Sequence, residues 1–111
     1  MRILAIEKEV PGAQPEQIKP LLKEEAKQVW RLYQQEYLRE IWFTVPDRRA
    51  VLLLECNFKD QALTLLQALP LVSSGYITFE LLVLGPYDGF ERLLPRCSES
   101  SPIRNILRRH N

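Results

Sequence analysis

Residues 15–37 read PEQIKPLLKEEAKQVWRLYQQEY, and the arrangement of the chain turns on this stretch. At about 100° per residue, Ile18, Leu22, Val29 and Tyr33 fall in one apolar arc, with Leu21, Ala26 and Leu32 at its margins. Lys19, Lys23, Glu24, Lys27 and Arg31 fall on the other side. The pattern predicts an amphipathic helix that starts at Pro15, where a missing N–H costs nothing. Pro20 should kink it against the carbonyl of Glu16, leaving residues 20–36 as the long regular part. One residue breaks the stripe. Glu25 projects from near the middle of the apolar arc, between Leu22 and Val29. A carboxylate aimed at a core is costly unless it is paired, neutralised or used.

Working outward, residues 2–8 (RILAIEK) predict a first strand and residues 37–45 (YLREIWFTV) a second, both rich in aliphatic, aromatic or branched side chains. Pro46-Asp47-Arg48-Arg49 supplies a hairpin turn, and residues 50–57 (AVLLLECN) are apolar enough for a strand buried on both faces. Asn57 is a fitting N-cap for a second helix over residues 58–69, which Leu69-Pro70 ends. A loop then leads to a fourth strand, residues 76–84 (YITFELLVL). The order βαββαβ predicts an α+β, ferredoxin-like fold, a four-stranded antiparallel sheet with two helices on one face. It occupies residues 1–94, followed by a polar C-terminal tail over residues 95–111. Ile77, Phe79, Leu81 and Val83 suit the face under the helices. The other face carries Val51, Leu53, Leu82 and Leu84, which should not stay in water, so a second copy packed sheet to sheet is expected, giving a homodimer.

The bulk composition narrows the classes. A chain of 111 residues fits one domain, and 46% hydrophobic with 26% charged residues is an ordinary globular balance. Fifteen basic against fourteen acidic side chains leave a net charge of +1, too little for a field that recruits nucleic acid or an acidic membrane. No apolar run approaches the roughly 18 residues of a membrane span, and the N-terminus has no signal-peptide pattern, so a cytoplasmic location is expected. Cys56 lies in an apolar run and Cys97 in the polar tail, which argues against a structural disulfide. His110 is the only histidine, so a histidine-based metal site or nucleophile system is not expected, nor is any cofactor.

Three groups of side chains are candidates for chemistry. Glu25 has two readings: a proton carrier whose pKa is raised by desolvation, or a residue at the helix rim paired with Lys or Arg. Glu7, Glu55 and Glu80, one per strand, are placed by strand parity on the face opposite the helices; they line a cavity there or pair with Arg2 and Arg39. Trp30, Tyr33, Tyr37, Trp42 and Phe43 wall an apolar pocket or belong to plain core. Cys56, with no histidine partner, reads as an inert core thiol.

The blocks LLKEEAKQVWRLYQQEYLREIW and QALPLVSSGYITFELLVLGP resemble the muconolactone isomerase family, whose fold is the dimeric α+β barrel. The likeness spans residues 1–94 and is most specific at Arg39 to Trp42 and at Leu69-Pro70-Leu71. It implies a cofactor-free isomerase that moves a proton within an unsaturated lactone, and assembly of dimers into larger rings in some members. It implies a catalytic acid at Glu25 and places Glu80 where the family has an acid in the last strand, a second catalytic candidate; Trp30, Tyr33, Arg39, Trp42 and Glu55 are expected as the substrate-binding surroundings. Where the isomerase has His-Pro after the last strand, this chain has Gly85-Pro86, and Glu40 stands where the isomerase has a histidine. The resemblance implies a small lactone or organic acid as ligand, and the missing imidazoles weigh against muconolactone itself.

Overall fold

The computed structural model describes residues 1–94; the expected polar tail, with Cys97 and His110, lies outside the described residues. The elements are β1 (Arg2–Glu9), α1 (Pro15–Ile18), a 3₁₀ turn (Lys19–Leu21), α2 (Leu22–Gln34), β2 (Leu38–Phe43), β3 (Ala50–Glu55), α3 (Lys59–Gln67), α4 (Pro70–Ser73) and β4 (Ile77–Leu84). A second 3₁₀ turn spans Gly89–Leu93. Four strands form one sheet in the order β2-β3-β1-β4, with every neighbouring pair antiparallel. This is the expected α+β, ferredoxin-like layout. Each β-α-β unit is split, because β3 lies between β1 and β2, and β1 lies between β3 and β4.

Pro20 does what its ring dictates. It breaks the helix into α1 and α2 through a tighter 3₁₀ turn. The expected loop after Pro70 is a short helix instead, because Pro70 fits a first helical position and Leu69 before it is extended. At α3 the boundary falls one residue later than expected: Phe58 is the N-cap, and Gln61 Oε1 accepts the Asn57 N–H at 2.8 Å. Glu36, just past α2, has φ +68°, the left-handed geometry that commonly ends a helix.

The register decides which residues meet. Ile3 pairs with Leu54 and Val83, and Ala5 with Leu52 and Leu81, so these side chains share the face that the helices cover. Ile3, Ala5, Leu38, Leu52 and Leu54 from the sheet pack with Leu32 of α2 and Ala62 and Leu66 of α3 as the buried core. Cys56 joins this core as a free thiol, and burial pushes its pKa up. Leu4, Leu53 and Leu82 are directly opposite one another on the uncovered face.

Strand parity misplaces one residue. Glu7 follows Ile3 and Ala5 at two-residue spacing and pairs with Phe79, so it points under the helices and not away from them. β2 contains a further irregularity, a register shift between Leu38 and Glu40. The extra residue, Arg39, switches the parity of the rest of the strand. Leu38, Ile41 and Phe43 consequently oppose Leu54, Leu52 and Ala50, while Trp42 opposes Val51 on the uncovered face.

Leu54 is completely buried at the centre of this core. Leu54→Ala is expected to lower unfolding stability by about 2–5 kcal/mol, read as a reduced urea midpoint with an unchanged slope.

Candidate functional site

Only Leu32 of α2 is buried, so the helix is seated on the sheet near its C-terminal end. The rest of its apolar arc overhangs the sheet and encloses a cavity of roughly 690 Å³, within the size range of small-molecule sites. α2 and the residues before it contribute Ile18, Leu22, Glu25, Val29, Trp30 and Tyr33. The sheet supplies the floor through Glu7, Ile41, Phe43, Leu52, Ile77 and Phe79, and Leu69 and Leu71 close one side. Trp30 and Tyr33 stack with ring centroids 5.5 Å apart and remain more than half exposed, at 58% and 52%. Large apolar side chains left that open form a wall rather than a core.

Glu25 projects into this cavity half-buried. Its Oε1 accepts the Leu71 backbone N–H at 3.0 Å. Leu71 lies in the first turn of α4, where N–H groups have no partner within the helix, and Leu69 provides no side-chain cap. Glu25 therefore acts as a long-range cap from α2. Among the described residues no Lys or Arg is within ion-pair distance of it, so the rim pairing considered from sequence is not what holds it. Desolvation by the apolar walls raises its pKa. The Leu71 hydrogen bond opposes that, and the negative charge of Glu7 adds to it.

Glu7 is the second carboxylate of the cavity. Its Oε1 accepts the Ala50 N–H at 3.0 Å, just beyond the point where the β1–β3 ladder stops at Ile6 and Val51. Each acid thus has one oxygen fixed by a backbone donor, and the other receives no hydrogen bond from the described residues. Arg48, from the β2–β3 turn, completes the polar lining.

Several expected site residues lie elsewhere. Glu80 is on the opposite face of the sheet and pairs with Lys8 at 3.7 Å, so it does not share a site with Glu25. Glu55 is on that opposite face too, 3.5 Å from the Met1 amino group and 3.8 Å from Arg2 Nε. Trp42 points the same way because of the β2 bulge, and its Nε1–H donates to Glu40 at 3.1 Å. Arg39, at the bulge itself, is exposed and does not line the cavity. Trp30, Tyr33 and Glu25 line the same cavity. Glu7 was singled out on the wrong face, and Ile41 and Arg48 carried no signal that a periodicity could detect. Among the described residues no group of three or more His, Cys, Asp or Glu could hold a metal ion, and no helix is long and apolar enough to cross a membrane.

Comparison of folds adds an independent observation. Muconolactone isomerase superimposes with a TM-score of 0.66 at 18% identity, over 78% of this chain and 91% of that one. The chain has the muconolactone isomerase fold. A second structure of this fold is 5-chloro-2-hydroxyhydroquinone dehydrochlorinase from Burkholderia phenoliruptrix AC1100, in complex with 2,5-dihydroxybenzoquinone. It aligns with a TM-score of 0.58 at 14% identity, over 80% of this chain and 98% of that one. No family model and no curated protein sequence matches the chain.

A raised carboxyl pKa has a defined consequence for stability. Between the unfolded and folded pKa values of Glu25 the native state binds more protons, so stability attributable to this group falls as pH rises through that window. Glu25→Gln keeps an oxygen for the Leu71 N–H and removes the charge. As pH rises from about 4 through that window, the stability of the variant should therefore increase relative to the parent chain in urea unfolding. A difference constant across that range would contradict the raised pKa. The other ionisable or charged groups facing the cavity, Glu7, Tyr33 and Arg48, are present in both proteins.

Proposed function

We propose that this protein is a distant relative of muconolactone isomerase that shifts a proton within a small unsaturated lactone or organic acid, without a cofactor, and that Glu25 carries the proton. The observation behind this reading is a half-buried carboxyl, fixed at one oxygen by the Leu71 N–H and free at the other, facing a largely apolar cavity. As a carboxylate, Glu25 takes a proton from the carbon next to the carbonyl; the C–H electron pair moves into the conjugated enolate. As a carboxylic acid, it returns that proton further along the conjugated system, and the double bond moves. One group serves both steps, so no net proton is gained or lost. A raised pKa suits this work, because it makes the carboxylate a stronger base and its acid form easier to reach. The Leu71 hydrogen bond holds the carboxyl in place, and Trp30 and Tyr33 keep water from the enolate.

A second reading has its own support. In a non-catalytic binding module Glu25 would be only the cap of α4, a role the Leu71 hydrogen bond already provides. Deuterium exchange separates the two. The chain is incubated in D₂O with a panel of small unsaturated lactones and carboxylic acids, and exchange at carbon is followed by proton NMR. Enzyme-dependent exchange should fall by about 10²–10⁴-fold in Glu25→Gln. Exchange at equal rates in the variant, or no exchange with any member of the panel, would favour the binding module.

The uncovered sheet face fits a second copy of the chain, as in the dimeric α+β barrel. Leu4, Leu53 and Leu82 form an apolar row across its middle, with the Lys8–Glu80 and Arg2–Glu55 pairs toward its ends. A two-fold axis through this row would set leucine on leucine, and the charged pairs would lie at the periphery. Light scattering should give twice the chain mass at micromolar concentration, and Leu82→Lys should give the monomer. Monomer for the unaltered chain would exclude the dimer.

A further inference from the structure

We propose that Arg48 selects the ligand: its guanidinium receives the anionic end of a ring-containing carboxylate whose apolar body lies against Phe43, Trp30 and Tyr33. This deepens the reading of the cavity as a small-molecule site and stands apart from whether Glu25 transfers a proton.

Among the described residues, Arg48 is the one cationic side chain that lines the cavity. The turn that carries it also carries Arg49, and it treats the two differently. Arg49 Nε pairs with Asp47 at 3.2 Å, and Asp47 also accepts the Thr44 hydroxyl, which holds its carboxyl below the usual range. Arg48 has no carboxylate within ion-pair distance among the described residues. Neither acid of the cavity, Glu7 or Glu25, is within ion-pair distance of it.

The guanidinium is positioned. It lies over the Phe43 ring, 4.5 Å from the centroid, and Phe43 itself lines the cavity. A cation–π contact does not use up the guanidinium's N–H groups, which can match a planar carboxylate with two parallel hydrogen bonds. The backbone beneath it is specialised too. Arg48 has φ +51°, a conformation that Gly or Asn adopts more readily, and its N–H donates to the Thr44 carbonyl at 2.8 Å. An arginine at a position suited to glycine places a long cation at the cavity where the turn alone would call for none.

Discrimination follows from desolvation. A neutral ligand with the same ring would strip water from the guanidinium and return no charge, whereas a carboxylate replaces the lost hydration. The test uses 1-naphthoate and its neutral counterpart 1-naphthamide as probes, titrated by amide NMR. The Phe43 and Leu71 signals report occupancy of the cavity and not of the uncovered sheet face. The unaltered chain should bind naphthoate at least about tenfold more tightly than naphthamide. Arg48→Gln should abolish that preference, chiefly by weakening naphthoate. Arg48→Lys should restore part of it, and Arg49→Gln should leave it intact. A preference that survives Arg48→Gln, an equal loss of both probes, or no response at Phe43 and Leu71 overturns the proposal. Loss of the proton-transfer reading looks different: naphthoate selectivity through Arg48 would persist while Glu25→Gln left carbon exchange unchanged.

Discussion

Everything distinctive in this molecule depends on α2 being seated on the sheet at one end only. Leu32 packs into the core with Leu38, Leu54 and Leu66, and the helix beyond it rises over the sheet with its apolar arc still open. A helix seated along its whole length would fill the space and leave an ordinary two-layer core. The 3₁₀ turn forced by Pro20 and the short helix at Pro70 frame the two sides of the resulting gap. The cavity is thus a product of how the layers meet, and it is lined by side chains that would otherwise be core.

Two carboxylates make the opening durable and chemically specific. Each reaches across elements to satisfy a backbone donor that the local structure leaves without a partner: Glu25 at the start of α4, Glu7 at the start of β3. A buried N–H with no acceptor is destabilising, so these contacts tie the lining to the integrity of the fold. They also set the electrostatics. The apolar walls disfavour the charged form of Glu25, and Glu7 reinforces that effect. Structural and chemical roles therefore coexist in one side chain, and the cap is what fixes the position of the carboxyl.

Much of the fold was readable from local pattern. Alternation in residues 76–84 separated Ile77, Phe79, Leu81 and Val83 from Thr78, Glu80, Leu82 and Leu84, as the register confirms. The site was only partly readable. Glu25 was visible because it breaks a helical stripe, and helical spacing alone suffices to show that. Glu7 required knowing which face of β1 meets the helices. Trp42 and Ile41 exchanged faces because one bulged residue, Arg39, shifts the parity of β2, and no composition signal marks such a bulge. Arg48 carried no periodicity at all, being a turn residue whose direction depends on the hairpin around it.

The sequence by itself determined the order of elements, the α+β class, the break at Pro20 and the misfit of Glu25, because each follows from spacing, ring geometry or burial of apolar area along a local segment. Tertiary structure alone decided that the misfit faces a cavity, that its partner is the Leu71 N–H rather than a lysine or arginine, and that Glu7 and Arg48 share the space while Glu80, Glu55 and Trp42 do not. The reason is physical. Those outcomes depend on strand register and on the height of α2 above the sheet, and both are settled by contacts between separate elements: Trp42 by the bulged pairing of β2 with β3, Glu25 and Glu7 by contacts to Leu71 and Ala50 more than forty positions away.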